Sequence, residues 1–563
     1  NNTGVGKVLL PVFAGIAVLV FLFEAKMPSF NYTEEKYKYV AATPYSTTEN
    51  YNGQEWHRLW LGTLVFGLAL AAIYLICLYI YSHQKDKKVR RYITLGMAAL
   101  VIFEAGYNTY DTFWKVHKEV YYSEHDTYDF VKDAPKLMDA LENYDPGFYR
   151  AEKTFFRTVN DNHAFGLKGI SHSSSVMNSR ILNFIETLGY STKSYETRYD
   201  GNTPLADSLL GIKYVINDAT RNISGDKSIL SPFYEKVFST PYTNGDGNEA
   251  TADIYENKDA LAIGCMVDDD ILKLSFLGND NPFNSMNNFM SSLTGNTPDY
   301  SGALVPKNYF YRVTESPEVV LNECWESDYG GQHCYNANAG AGDPTVNIHF
   351  TTLSDDELYM FLKSDNQKGA NLWVSSTKDE NGNFIDHKGY GGYFDGYEYS
   401  IVDLGSYPAG TDIEVRLTIR KIDGSGNNEY IMVKDFQFYH FNYAAFHEDI
   451  QQLKQNEWQL DLDKPNDRYL VGEIDAQEGQ IMYTSIPYEP GWTIKVDGKK
   501  VDDLFVEDTS SGKSIMQNNV PGDLGQVVIL NAMIGLRLPA GHHTVSMKYT
   551  PPGFNMGILL LIA

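Results

Sequence analysis

The chain has 563 residues, with 46 Lys and Arg against 72 Asp and Glu, giving a formal charge of −26. This balance excludes a nucleic-acid partner, which needs clustered cations, and suits the solubility of a large exposed domain. The apolar residues concentrate in three segments within the first 110 residues, with a fourth run at Gly557–Ala563.

The first segment, Val8–Phe23, holds 16 residues without a charge. The stretch from Glu24 to His57 is acidic and Tyr-rich, and Trp56 and Trp60 suit an interfacial belt. Arg58 follows, at the start of the second segment. Its fork of donors could hold a lipid phosphate, and anchoring a helix end is the alternative role. Leu59–Tyr81 runs 23 uncharged residues, and a helical span needs about 20. The loop at 83–91 carries Lys85, Lys87, Lys88, Arg90 and Arg91, which marks it as cytoplasmic. Tyr92–Phe103 is apolar for 12 residues before Glu104. Runs of that length are often buried soluble helices, but the flanking charges favour a third span, over about 92–110. The spans then run outward, inward and outward, and residues from about 111 to 550 lie outside the cytoplasm. Glu104, with Asn108 and Asp111, sits at the outer end of span three. An ionisable group there is a catalytic candidate, unless its carboxylate simply reaches water. The absence of an initiator Met and the final apolar run lead us to expect the C-terminal portion of a longer polytopic protein.

Beyond residue 111 three modules follow. A mixed α/β module with a helical connector is expected over 111–300, and within it the apolar positions 181, 182, 184, 185 and 188 before Gly189 predict a helix. Asp268, Asp269 and Asp270 resemble a divalent-ion cluster, but their place before a helix-like stretch favours capping. Over 301–445, short runs at 346–351, 358–363, 371–375, 399–404, 413–419 and 431–439 between Gly, Asp and Asn turns predict a β-sandwich or jelly roll. A second β module spans 446–550, where Asp497-Gly498 between alternating runs predicts a type I′ hairpin. Residues 551–563 begin a further membrane helix. The expected fold class is a multi-pass α-helical membrane segment plus large extracytoplasmic α/β and β-sandwich (jelly-roll-like) domains.

Cys324 and Cys334 bracket a nine-residue Gly-containing segment, and a local disulfide is favoured over a metal site with His333, which lacks a fourth ligand. Cys77 and Cys265 are left over. No metal site is assigned. In the Gly-rich run at 389–399, Tyr390, Tyr393 and Tyr397, with Trp373 on a neighbouring strand, could present aromatic faces to sugar rings; covering the sandwich is the alternative. No nucleophile elbow or phosphate loop is present in the sequence.

Several segments together resemble the bacterial YfhO membrane-protein family, over about residue 90 to the end. They are Tyr149-Arg150-Ala151-Glu152-Lys153, Gly166–Asn178 with its three serines, Asp207–Tyr214, Ser485–Trp492 with Val496–Lys499, Pro539–His543 and Tyr549–Phe554. The resemblance implies a GT-C-type glycosyltransferase that takes a sugar from a polyprenyl-phosphate donor. Its acceptor would be a cell-envelope polymer such as lipoteichoic acid, outside the membrane of a Gram-positive bacterium. It further implies work alongside a lipid-loading glycosyltransferase and a flippase, contact with membrane lipids, and a place for a divalent cation in the whole enzyme. The catalytic acids of such enzymes lie in the first outer loop, upstream of this sequence, so none is assigned here. His172, Asn178 and Lys213, in the family-like segments, are candidates to line the acceptor site, with buried hydrogen bonding as the alternative. The competing functional expectation is a non-catalytic, membrane-anchored glycan-binding or assembly module.

Overall fold

The computed structural model describes residues 53–119, 136–155, 158–218, 230–243, 248–274, 281–295, 307–363, 369–393, 400–420, 429–463, 468–510 and 513–562. The chain divides into two compact units, 1–124 and 125–563.

The described part of the first unit is a helical hairpin of α1 (Gly53–His83) and α2 (Lys87–Glu119). The turn is made by side chains. Gln84 Oε1 accepts the N–H groups of Lys85 and Asp86, and Asp86 Oδ1 accepts that of Lys88 at 2.8 Å, capping α2. Across the pair, the Phe66 and Tyr107 rings lie 4.5 Å apart, and the Tyr74 hydroxyl donates to Glu104 Oε2 at 2.8 Å.

The expected multi-pass helical membrane segment is overturned. Among the described residues one helix is long and apolar enough to cross a bilayer, α1 over Phe66–His83, with a mean hydropathy of 1.7. The third expected span lies in α2, whose apolar run opens on Lys87, Lys88, Arg90 and Arg91 and is broken by Glu104 and Asp111, so no sufficiently apolar window remains. The first expected span lies outside the described residues. Among the described residues most elements are instead β-strands.

Three sheet systems of the second unit, among the nine sheets of the described residues, frame its architecture. In the first, Arg150–Lys153 runs parallel to Ile212–Asp218, and Glu249–Glu256 and Glu235–Thr243 complete an antiparallel flank. The second is a sandwich. Its five-stranded sheet orders Glu318–Asn322, Thr345–Thr351, Asp412–Ile419, Ala370–Ser375 and Lys388–Tyr393. Its four-stranded sheet orders Val402–Gly405, Glu357–Lys363, Asp435–Phe441 and Phe310–Arg312. Val346, Ile348, Leu358, Met360, Leu372, Val415 and Phe438 fill the space between them. In the third system, Tyr469–Ala476, Gly541–Tyr549 and Trp492–Val496 pair side by side, and the hairpin at Asp497 (φ 51°) and Gly498 (φ 79°) has both residues left-handed, as a type I′ turn requires.

These systems are fused. Gly264–Asp268, which precedes the sandwich in sequence, pairs with Gln480–Thr484, which follows it. One apolar core joins helix residues Leu205, Phe289 and Phe446 to Tyr359 and Phe441 of the sandwich and to Tyr483 and Ile529 beyond it. Arg150 is a second tie. Half-buried, it donates through Nη1 to Leu210 O at 2.6 Å and through Nη2 to Ser485 O at 2.8 Å, and desolvation pushes its pKa down to about 10. Gly211 stands beside it at φ 73°, where an added Cβ would come within 2.9 Å of Leu261 O.

Cys324 and Cys334 are free thiols, so the expected disulfide is corrected. Their strands, Cys324–Tyr329 and Gln332–Ala337, turn tightly at Gly330 and Gly331, both with positive φ. The register sets Cys334 opposite Ser327, three residues along from Cys324 and hence on the other face of the sheet.

Inside the core, Tyr190, Tyr199 and Tyr234 donate hydroxyls to the Asp207 carboxylate at 2.6, 2.6 and 2.5 Å, and Asn202 adds a longer contact at 3.3 Å. Burial outweighs these four donors and raises the Asp207 pKa to about 6. Below about pH 4 the group is neutral in both states, and from about pH 4 to 6 only the unfolded chain ionises. Stability therefore falls with rising pH in that window, by about 3 kcal/mol from this group. Urea unfolding at fixed pH will show this part of the slope removed in Asp207→Asn, and an unchanged slope assigns the dependence elsewhere. Arg150→Ala, which leaves the Leu210 and Ser485 carbonyls without their donor, is expected to cost about 3 kcal/mol in the same assay.

Candidate functional site

The outer face of the five-stranded sheet carries the most built-up exposed site. Along Ala370–Ser375, Ala370, Leu372 and Val374 point into the sandwich, which sends Asn371 and Trp373 outward. Trp373 faces Arg416 on one neighbouring strand and Gly389 on the other. Its indole lies against the Gly389 backbone, where a Cβ would come within 2.8 Å of the ring, and 37% of the residue stays exposed.

Arg416 is held rather than free to wander. Its Nε donates to Asn347 Oδ1 at 3.0 Å and its Nη2 to Glu414 Oε1 at 2.8 Å. Glu414 is buried, and it also accepts from His387 Nε2 at 2.5 Å and His349 Nε2 at 2.8 Å. Burial raises the Glu414 pKa, but the hydrogen bonds from the two histidines and the Arg416 charge outweigh it and hold the carboxyl below its ordinary value. The result is a flat aromatic ring beside a pre-oriented guanidinium.

The other expected sugar-contacting aromatics are placed differently. Tyr393 is fully buried, donating to Ser400 O and accepting from Leu362 N at 3.0 Å each. A ring with no exposed surface cannot stack on a sugar, so Tyr393 leaves the set. Tyr390 sits at the strand irregularity opposite Leu372 and Trp373 and packs towards the sandwich core, with Lys388 Nζ 4.8 Å from its ring centre. Tyr397 lies outside the described residues.

His172, Asn178 and Lys213 have separate partners. His172 Nδ1 meets His163 Nε2 at 2.9 Å. Asn178 caps the helix Ser179–Thr187 and donates to Glu489 Oε1 at 2.8 Å, joining two of the family-like segments. Beside it Arg180 donates to Ser514 Oγ at 2.6 Å and lies 5.5 Å from the Tyr488 ring. Lys213 pairs with Asp145 at 2.6 Å. His172, Asn178 and Lys213 therefore do not converge on one site.

Arg58 lies within α1, whose described side chains begin after it, and Glu104 has Tyr74 as partner. Asp268 caps the turn at Asp269–Lys273 by accepting from Asp270 N, as its place in the sequence suggests, and the carboxylates of Asp268, Asp269 and Asp270 lie within 4.8 Å of one another. Sequence reasoning missed Asn347, His349, Glu414 and Arg416. Their only local signal is polar residues two apart on neighbouring strands, which the register alone turns into a cluster.

The solved structures that resemble part of the chain include carbohydrate-binding modules of family 29. A mutant module shows 15% identity, covers 23% of this chain and 90% of its own, and has a TM-score of 0.16. Another, complexed with cellulohexaose, shows 14% identity over 23% and 89%, with a TM-score of 0.17. At such scores nothing about this chain's ligand rests on the likeness. No curated protein matches the chain. The family profile described as bacterial membrane protein YfhO matches residues 7–561. The chain therefore belongs to the YfhO family of bacterial membrane proteins.

Proposed function

We propose that this protein is a membrane glycosyltransferase that moves a sugar from a polyprenyl-phosphate donor to a cell-envelope polymer such as lipoteichoic acid, in a Gram-positive bacterium. In this reading the β-rich unit works outside the cytoplasm, and the sheet face around Trp373 and Arg416 holds the acceptor polymer. Family membership supports the membrane setting. The observation that carries the acceptor role is the Trp373–Arg416 pair.

The chemistry favours a sugar there. The C–H face of a pyranose packs on an indole, and the guanidinium offers donors to hydroxyl, carboxylate or phosphate oxygens. Because Asn347 and Glu414 already fix Arg416, binding costs little side-chain entropy. The donor-side chemistry needs a carboxylate to take the acceptor proton and a cation or metal to steady the leaving phosphate.

Deleting the gene should abolish glycosylation of the polymer while the sugar-loading partner remains active. Restoring it with Trp373→Ala at equal expression should leave glycosylation well below wild type, since losing a central aromatic anchor costs about 2 kcal/mol, roughly thirtyfold in affinity. Unchanged glycosylation after deletion contradicts the transferase reading. Full activity of Trp373→Ala, where the deletion itself abolishes glycosylation, contradicts the acceptor face alone.

A further inference from the structure

We propose that His163 and His172 form a two-imidazole site for a first-row transition dication such as zinc, nickel or copper(II). His163 lies in the short helix Asp161–Phe165 and His172 in the two-residue strand His172–Ser173. Their facing nitrogens, Nε2 and Nδ1, are 2.9 Å apart, and the rings stand nearly perpendicular at 78°. Two imidazole–metal bonds of about 2.0–2.1 Å span roughly that distance when they meet near a right angle, as in tetragonal copper(II) or nickel(II), and about 3.3 Å at the tetrahedral angle of zinc, which a small parting of the rings supplies. A metal ion would replace the proton that the two nitrogens otherwise share.

The scaffold under the pair is built. The residue before each histidine is tied to one buried carboxylate: Asn162 Nδ2 and Ser171 N both donate to Glu152 Oε1, at 2.9 and 2.8 Å. Asn160 clamps the same two segments, donating to Ser173 O at 3.1 Å and accepting from Ser173 N at 2.8 Å. Two ligands held by a common anchor lose little freedom on binding, as supporting contacts do in metal sites. The remaining coordination positions are left to water or to oxygens of a bound molecule.

This inference is independent of the glycosyltransferase reading, and its test needs no activity. Calorimetric titration of the purified protein with zinc or nickel chloride should show a site that weakens at least tenfold in both His163→Ala and His172→Gln. The other histidines among the 13 in the chain supply a common background that the comparison removes. Copper(II) electron paramagnetic resonance should show two nitrogen couplings in the wild type and lose one in each variant. Metal-free melting curves should stay close, since His163 is exposed and His172 half-buried, and each substitution removes only their mutual contact. Equal zinc and nickel affinity in all three proteins, or copper spectra that neither substitution changes, overturns the proposal.

Discussion

A single constraint shapes the exposed chemistry of the sandwich: its two sheets must bury one face each. Side chains alternate along a strand, so once Leu372, Val374, Val415 and Leu417 are committed to the interior, Trp373 and Arg416 have only the outer face left. A slip of one residue in either strand would put an indole or a guanidinium into the core and two aliphatic side chains into water. The apolar interior thus enforces the neighbourhood of ring and cation more firmly than any direct contact between them could. Glu414 then sets the finer geometry, drawing Arg416, His349 and His387 onto one buried carboxylate.

The family-like segments have a different task. Arg150 reaches Ser485, Asn178 reaches Glu489, and the Tyr483 hydroxyl donates to Leu209 O at 2.9 Å, each joining parts of the chain some 270 or more residues apart. Gly491, at φ 126°, lets the Ser485–Trp492 segment lie against Thr550 O and Pro552, and Trp492 packs 5.2 Å from Tyr549 just ahead of the helix Phe554–Ile562. The third sheet system is thereby knitted both to the first and to the chain's last helix. Residues that look like site residues because they stand in recurrent motifs are, in this unit, largely the joints of the architecture.

Much of the sandwich was legible in the sequence. The strand expected at 346–351 is Thr345–Thr351 and that at 413–419 is Asp412–Ile419, because short alternating runs between Gly, Asp and Asn leave few other solutions. The stretch 431–439 misled. It is two strands, Tyr430–Val433 and Asp435–Phe441, in different sheets, and the switch falls at Lys434-Asp435, a polar pair that reads equally well as the outward positions of one strand. Register was out of reach for the same reason: spacing placed two cysteines near one turn, but only pairing shows them on opposite faces. The pairing of Gly264–Asp268 with Gln480–Thr484 has no local signature at all. In the helical hairpin, charge pattern suggested more spans than apolar length supports, since the cations that pointed to a membrane boundary also shorten the run beside them.

The most direct measurement is fluorine NMR of protein carrying fluorotryptophan, titrated with the purified envelope polymer. The chain has seven tryptophans, and the Trp373 resonance is assigned by its loss in Trp373→Phe. The account predicts that this signal shifts or broadens as polymer is added, while that of Trp458, sealed in the core, does not. A polymer that binds and leaves the Trp373 signal unmoved would contradict it.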